Sequence, residues 1–171
     1  DRRQRQMCIR DRYSLDTDRQ ARLVRPLYFG LLDEKDTVYA KKRLIQALEH
    51  YHWRVGTGFL STPFVLYVLE KIDPEYAYRL LENEEKPGWL CMPKEGATSI
   101  WEDWEGPNSD NGKGGGIASL NHYSKGAVCE WVFDEMCGIK MAGENRFKIA
   151  PVPGGHFSHA GMTLSLIHIS E

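Results

Sequence analysis

Residues 96–106 read GATSIWEDWEG, which sets Glu102 between Trp101 and Trp104 with Asp103 and Glu105 alongside. Carboxylates framed by indoles suit a carbohydrate: ring faces stack on the C–H surface of a sugar, and a carboxyl group partly buried against them is tuned for proton transfer. The same composition also fits a surface turn whose indoles fill a core and whose acids are solvated. A second group follows at 119–123, SLNHY, with Asn121 and His122 placed to open a helix. An Asn–His pair there can hydrogen-bond ligand hydroxyls or a carboxylate, or simply cap the helix. Between Gly56 and Leu60 the run GTGFL carries two glycines that allow close backbone approach and equally allow a plain turn.

Other chemistries find little support. The run NGKGGG at 111–116 is a poor phosphate loop, because Lys113 is followed by Gly rather than Ser or Thr and no strand precedes it. His50 with His52, and His156 with His159, lack acidic or Cys partners at metal-ligand spacing, so neither a metal nor a cofactor is expected. There is no G-x-S-x-G nucleophile motif. Of four Cys, Cys91, Cys129 and Cys137 lie in the body of the chain without a C-x-x-C pair, and they read as reduced thiols.

The elements that must position Glu102 and His122 are helical. Residues 16–32 place Leu23, Val24, Leu27, Tyr28, Leu31 and Leu32 at three- and four-residue spacing, which predicts a helix capped by Asp16 or Thr17 and kinked at Pro26. A second helix is predicted over 36–50, with Val38, Leu44, Ile45, Leu48 and Tyr51 on its apolar side and a wide polar face. Thr62 before Pro63 starts a buried helix through TPFVLYVLEKI. Asp73 before Pro74 starts an amphipathic one that ends near Glu82. After a long connector rich in Gly, Pro and Trp, residues 121–137 predict a mostly apolar helix closed by Gly138. Residues 146–152 (RFKIAPV) form a short extended piece. Inner-type and outer-type helices thus alternate, as in an array of helical hairpins. In such an array the connectors 52–61 and 83–121 open on the same end, and a connector longer than about 12–15 residues is usually functional.

The two ends stand apart. Residues 1–13 are dense in Arg and lack any period, and the strings RQMCIRDRYS at 5–14 and LSLIHISE at 164–171 resemble translated sequencing-adapter sequence. Segments 1–13 and 164–171 are therefore expected to be non-native ends around a single domain over 14–163, as in a fragment of metagenomic origin. Five of the 22 basic and three of the 24 acidic residues lie in those ends, leaving 17 against 21 and a body charge of −4. A mildly acidic body without a basic stripe argues against nucleic acid as partner. The longest clean apolar run, 64–69, is far short of the roughly 18–20 residues of a membrane span.

Taken in order, TDRQARLVRPLYFGLL, TGFLSTPFVLYVLEK, AYRLLENEEKPGWLCMPKEGATSIWEDW, SLNHYSKGAVCEWVF and FKIAPVPGG resemble the second half of the bacterial α-L-rhamnosidases. The resemblance covers about residues 16–161, with GATSIWEDW and SLNHYSKGAV its specific parts. It implies an all-α fold, a partial (α/α)6 barrel of helical hairpins. It also implies an inverting glycoside hydrolase that releases terminal α-L-rhamnose from glycosides, with Glu102 as general base and His122 on the sugar. Trp104 would wall the pocket, with Trp101 and Asn121 as further substrate-binding residues. An inverting pair stands about 6.5–9.5 Å apart to admit a water, so acid and base come from different parts of a barrel. The family's acid belongs to the first half, so the resemblance implies that the N-terminal half of the same barrel is missing here and that this segment alone is inactive. Two departures from the family pattern are Ser61, where a smaller residue or Gly is usual, and Asp103, where Arg is common. The partner implied is a rhamnose-containing glycoside or oligosaccharide, and the compartment is left open between bacterial cytoplasm and periplasm. A non-catalytic carbohydrate-binding helical domain and a six-hairpin glycosidase for another sugar are the alternatives.

Overall fold

The computed structural model describes residues 14–108, 118–144 and 146–163. The two ends expected to be non-native and the glycine run 111–116 lie outside the described residues.

Helix α1 spans Gln20–Tyr28, shorter at both ends than the expected 16–32. Asp16 and Thr17 do not cap it, and Arg19 at the N-cap makes no side-chain capping bond. The acids there are drawn elsewhere: Arg43 Nε lies 3.3 Å from Asp16, and Arg43 Nη2 lies 2.8 Å from Asp18. At the other end Gly30 adopts φ +62, a left-handed residue that stops the helix, and Leu31 N–H donates back to the Pro26 carbonyl at 3.0 Å. Leu31, expected on the apolar stripe, is therefore 73% exposed.

Helix α2, Glu34–His50, begins at Asp33, whose carboxylate accepts the Asp36 N–H at 2.8 Å. Its buried stripe is Ala40, Leu44, Ala47 and Leu48, while Val38 and Tyr51, expected on that face, are exposed. Two alanines let α2 approach α1 closely, which rotates the contact face away from the larger residues. A 3₁₀ turn over Thr62–Phe64 leads into α3, Val65–Glu70, with Val65, Leu66, Val68 and Leu69 buried. The expected capping hydroxyl of Thr62 faces the preceding loop, contacting Thr57 Oγ1 at 2.9 Å and donating to the Gly58 carbonyl at 3.1 Å. Helix α4, Pro74–Leu81, starts as expected, with Asp73 accepting the Glu75 N–H at 3.0 Å.

Within the long connector a short helix α5, Cys91–Lys94, buries Cys91 and Met92 beside Trp101. The helix expected over 121–137 is broken into α6 (Tyr123–Gly126), α7 (Val128–Trp131) and a π-helical turn, Val132–Met136. Bonding tightens at Glu130 N–H to Ala127 O and loosens at Cys137 N–H to Val132 O, five residues back. Gly138 then turns the chain at φ +70, where a Cβ would fall 2.1 Å from Pro151 N. The extended piece expected over 146–152 is real but shorter: β2, Arg146–Ile149, pairs antiparallel with β1, Ile139–Gly143. The sequence reading missed β1, since IKMAG lacks the alternation and β-branching that mark a strand.

Helices α1, α3 and α7 are neighbours along one row, with α2 packed on α1 and α4 on α3. This is the expected alternation of inner and outer helices. Its core gathers Leu23, Leu44, Leu66, Leu69, Leu80 and Trp131, all essentially buried. No helix among the described residues is long and apolar enough to cross a membrane.

Candidate functional site

Two stretches that are distant in sequence pair through their backbones at one end of the array. Glu102 N–H donates to the Ser119 carbonyl at 2.8 Å, and His122 N–H donates to the Ile100 carbonyl at 2.8 Å. Glu102 and His122 are thus carried on adjoining segments of one loop cluster. The Glu102 carboxylate is exposed, and its Oε2 accepts the Ser119 N–H at 2.9 Å. A backbone donor on one oxygen orients the carboxylate and leaves the other oxygen free of that constraint. Asn121 is exposed, with its N–H donating to Ser119 Oγ at 3.2 Å.

The connector 52–61 joins the same cluster. Ser124 Oγ–H donates to the Phe59 carbonyl, and the Phe59 ring stands edge-on to His122 at 5.4 Å. His122 also stacks on Tyr123 at 5.5 Å, and its Nδ1 is enclosed with no hydrogen-bond partner. The connector itself is held by Gln20, whose side-chain Nε2 donates to the Arg54 carbonyl at 2.9 Å and whose Oε1 accepts the Gly56 N–H at 2.8 Å. A Cβ on Gly56 would lie 2.8 Å from that amide, which explains the glycine. Val55 N–H donates to the Pro87 carbonyl at 2.8 Å, tying the two connectors together.

The two indoles around Glu102 have different surroundings. Trp101 is only 6% exposed, packed with Cys91 and Met92 and lying under Gly106, so its ring supports the loop from below rather than facing solvent. Trp104 is half-buried, edge-on to Trp89 at 6.4 Å, with the Lys125 ammonium 3.7 Å above its ring. Burial pushes the Lys125 ammonium below the usual lysine range, opposed by the nearby Asp103 and Glu102 charges.

Sequence reasoning missed Gln20, Ser119 and Lys125. Gln20 had a signal, since it falls on the stripe of Leu23, Val24 and Leu27 where a polar side chain must find a partner. Ser119 and Lys125 act through contacts across the connector, which no local spacing encodes. A cleft of about 920 Å³ lies elsewhere: it is lined by His52, Arg54, Glu75, Arg79, Glu82 and His156, among others, and by none of the expected site residues. Glu102 is exposed and His122 half-buried, both outside that cleft.

The alternation of inner and outer helical hairpins is the architecture expected of a six-hairpin helical glycosidase domain. The profile of the bacterial alpha-L-rhamnosidase six-hairpin glycosidase domain matches residues 4–136. The chain is 36% identical over 143 residues to an alpha-L-rhamnosidase of Formosa agariphila, and 34% identical over 155 residues to one of Streptomyces avermitilis. These alignments take in 81% and 88% of this chain and 15% of each relative. The crystal structure of Streptomyces avermitilis alpha-L-rhamnosidase complexed with L-rhamnose superposes with a TM-score of 0.68 at 33% identity, over 81% of this chain and 14% of that one. Native alpha-L-rhamnosidase from Aspergillus terreus gives 0.70 at 31% identity, over 81% of this chain and 17% of that one. The chain belongs to the bacterial α-L-rhamnosidase six-hairpin glycosidase family.

Proposed function

We propose that this chain is the second half of the catalytic barrel of an inverting glycoside hydrolase that releases terminal α-L-rhamnose, with Glu102 as its general base. The observation that carries the reading is the placement of Glu102: exposed at the loop end, oriented by the Ser119 N–H, and carried beside His122. A base needs one oxygen free to take a proton from water, and a carboxylate tethered through a single oxygen keeps it.

His122 and Asn121 face the same loop cluster and would bind sugar hydroxyls. The Nδ1 of His122 is enclosed, so the imidazole would meet a sugar through Nε2, and Trp104 would wall the site. Trp101 serves by holding the loop. The general acid would come from the other half of the ring, about 6.5–9.5 Å from Glu102, which leaves room for the attacking water. Half a ring leaves its mouth as an open surface rather than a cleft, and this accounts for the exposure of Glu102. The same reasoning accounts for Phe59, Leu60 and Tyr123, which are 48%, 62% and 76% exposed at the mouth.

The test is Glu102→Gln in the complete enzyme that carries this segment, assayed on an aryl α-L-rhamnoside and by calorimetric titration with L-rhamnose. Turnover is expected to fall by about 10²–10⁴-fold with rhamnose still bound. Near-normal turnover would remove Glu102 from the mechanism, and binding without any turnover in the unaltered enzyme would favour a carbohydrate-binding module.

A further inference from the structure

Lys125 occupies an unusual position beside the proposed base. Its backbone carbonyl accepts the Trp89 Nε1–H at 3.1 Å, which fixes the start of its side chain. Its ammonium sits 3.7 Å over the Trp104 ring and donates to the Glu102 backbone carbonyl. One side chain therefore clasps the peptide that bears Glu102 and the indole two residues beyond it.

Taking Glu102 as the base, we propose that Lys125 is its positioning residue, locking the Glu102 peptide against Trp104 so that the carboxylate keeps its place in the loop. Holding the ammonium there costs desolvation, which the ring face and the carbonyl offset in part. The other ionisable groups facing it are Glu102 and Asp103 from the loop and Cys91 from α5. Lys86 cannot stand in for it, being committed to Glu95 at 2.7 Å and Glu105 at 3.1 Å.

The experiment compares Lys125→Met, Lys125→Arg and Glu102→Gln in the complete enzyme, reading kcat and KM on an aryl α-L-rhamnoside. Methionine keeps the stem and its packing on Trp104 while removing the charge. Lys125→Met is expected to lower kcat by about tenfold to a hundredfold, as a small misplacement of a reacting group does, with KM within about twofold. Lys125→Arg, which can still donate to the Glu102 carbonyl from over the Trp104 ring, is expected to return most of the lost kcat. An equal loss of kcat in Lys125→Met and Lys125→Arg, or a loss carried by KM rather than kcat, would mean packing alone and overturn the proposal, as would unchanged kinetics. All of those results are read against an inactive Glu102→Gln. Should Glu102→Gln retain turnover, the assignment of the base fails and takes the role of Lys125 with it.

Discussion

Gly106→Ala tests how the loop beneath Glu102 is supported. The residue adopts φ +55, and a Cβ there would lie 2.2 and 2.3 Å from two ring carbons of Trp101. Carbon atoms rest at about 3.5–4.0 Å, so the indole must retreat by more than about 1 Å. The ring is 6% exposed and packed on Met92 and Cys91, leaving little space for that retreat. Left-handed backbone at a non-glycine residue costs about 1–2 kcal/mol, and overpacking a filled site about 1–3 kcal/mol more. The sum is about 2–5 kcal/mol, borne by the loop that presents Glu102. A shift of about 1 Å in a reacting group costs about 10²-fold in rate, so with Glu102 as the proposed base kcat of the complete enzyme on an aryl α-L-rhamnoside should fall by about that factor. Gly96→Ala is the control, since Gly96 has φ +82 with nothing within 4 Å of its Cβ position. It bears backbone strain without collision and should leave kcat nearly intact. Equal kinetics for the two variants would refute the claim that the Trp101 contact seats the catalytic loop.

Two further outcomes follow from the packing. Burial raises the Glu70 carboxyl above its ordinary 4.5, with Glu135 adding to the rise and the Trp131 Nε1–H opposing it. The native state therefore binds more protons than the unfolded chain, and Glu70 draws down stability as pH climbs through the window that opens near 4.5. Glu70→Gln keeps an acceptor for Trp131 and should flatten that decline in urea midpoints measured from pH 4.5 upward; parallel profiles would contradict it. Asn83 Nδ2 donates to the carbonyls of His52 and Trp53 at 3.0 and 2.7 Å, two consecutive residues held at φ 55. Asn83→Ala should cost about 1–3 kcal/mol in denaturant unfolding, and a loss near zero would show that the left-handed pair holds itself.

Local signals read well wherever a start or stop is encoded by a single residue. Asp73 with Pro74 gave the beginning of α4, and Gly138 the end of the π-helical turn. They failed where a distant partner competes. Asp16 and Asp18 are taken up by Arg43, so α1 opens later than its capping residues imply. On α2 the small alanines, which carry little weight in a hydrophobic pattern, define the contact face and leave Val38 in solvent. The site was legible in part for the same reason. Residue types marked Glu102 and His122, but the backbone pairing of 100–102 with 119–122 joins segments across a connector that no helical period spans. Which indole would face solvent was not legible, because Trp101 and Trp104 differ only in what packs on them.

The most direct measurement is azide rescue of Glu102→Ala in the complete enzyme, followed by proton NMR of the earliest product. Azide attacks without surrendering a proton, so it needs no base. Restored turnover with a rhamnosyl azide of inverted configuration is the result expected of a base at Glu102. Turnover that never falls, or a loss that azide leaves untouched, would contradict it.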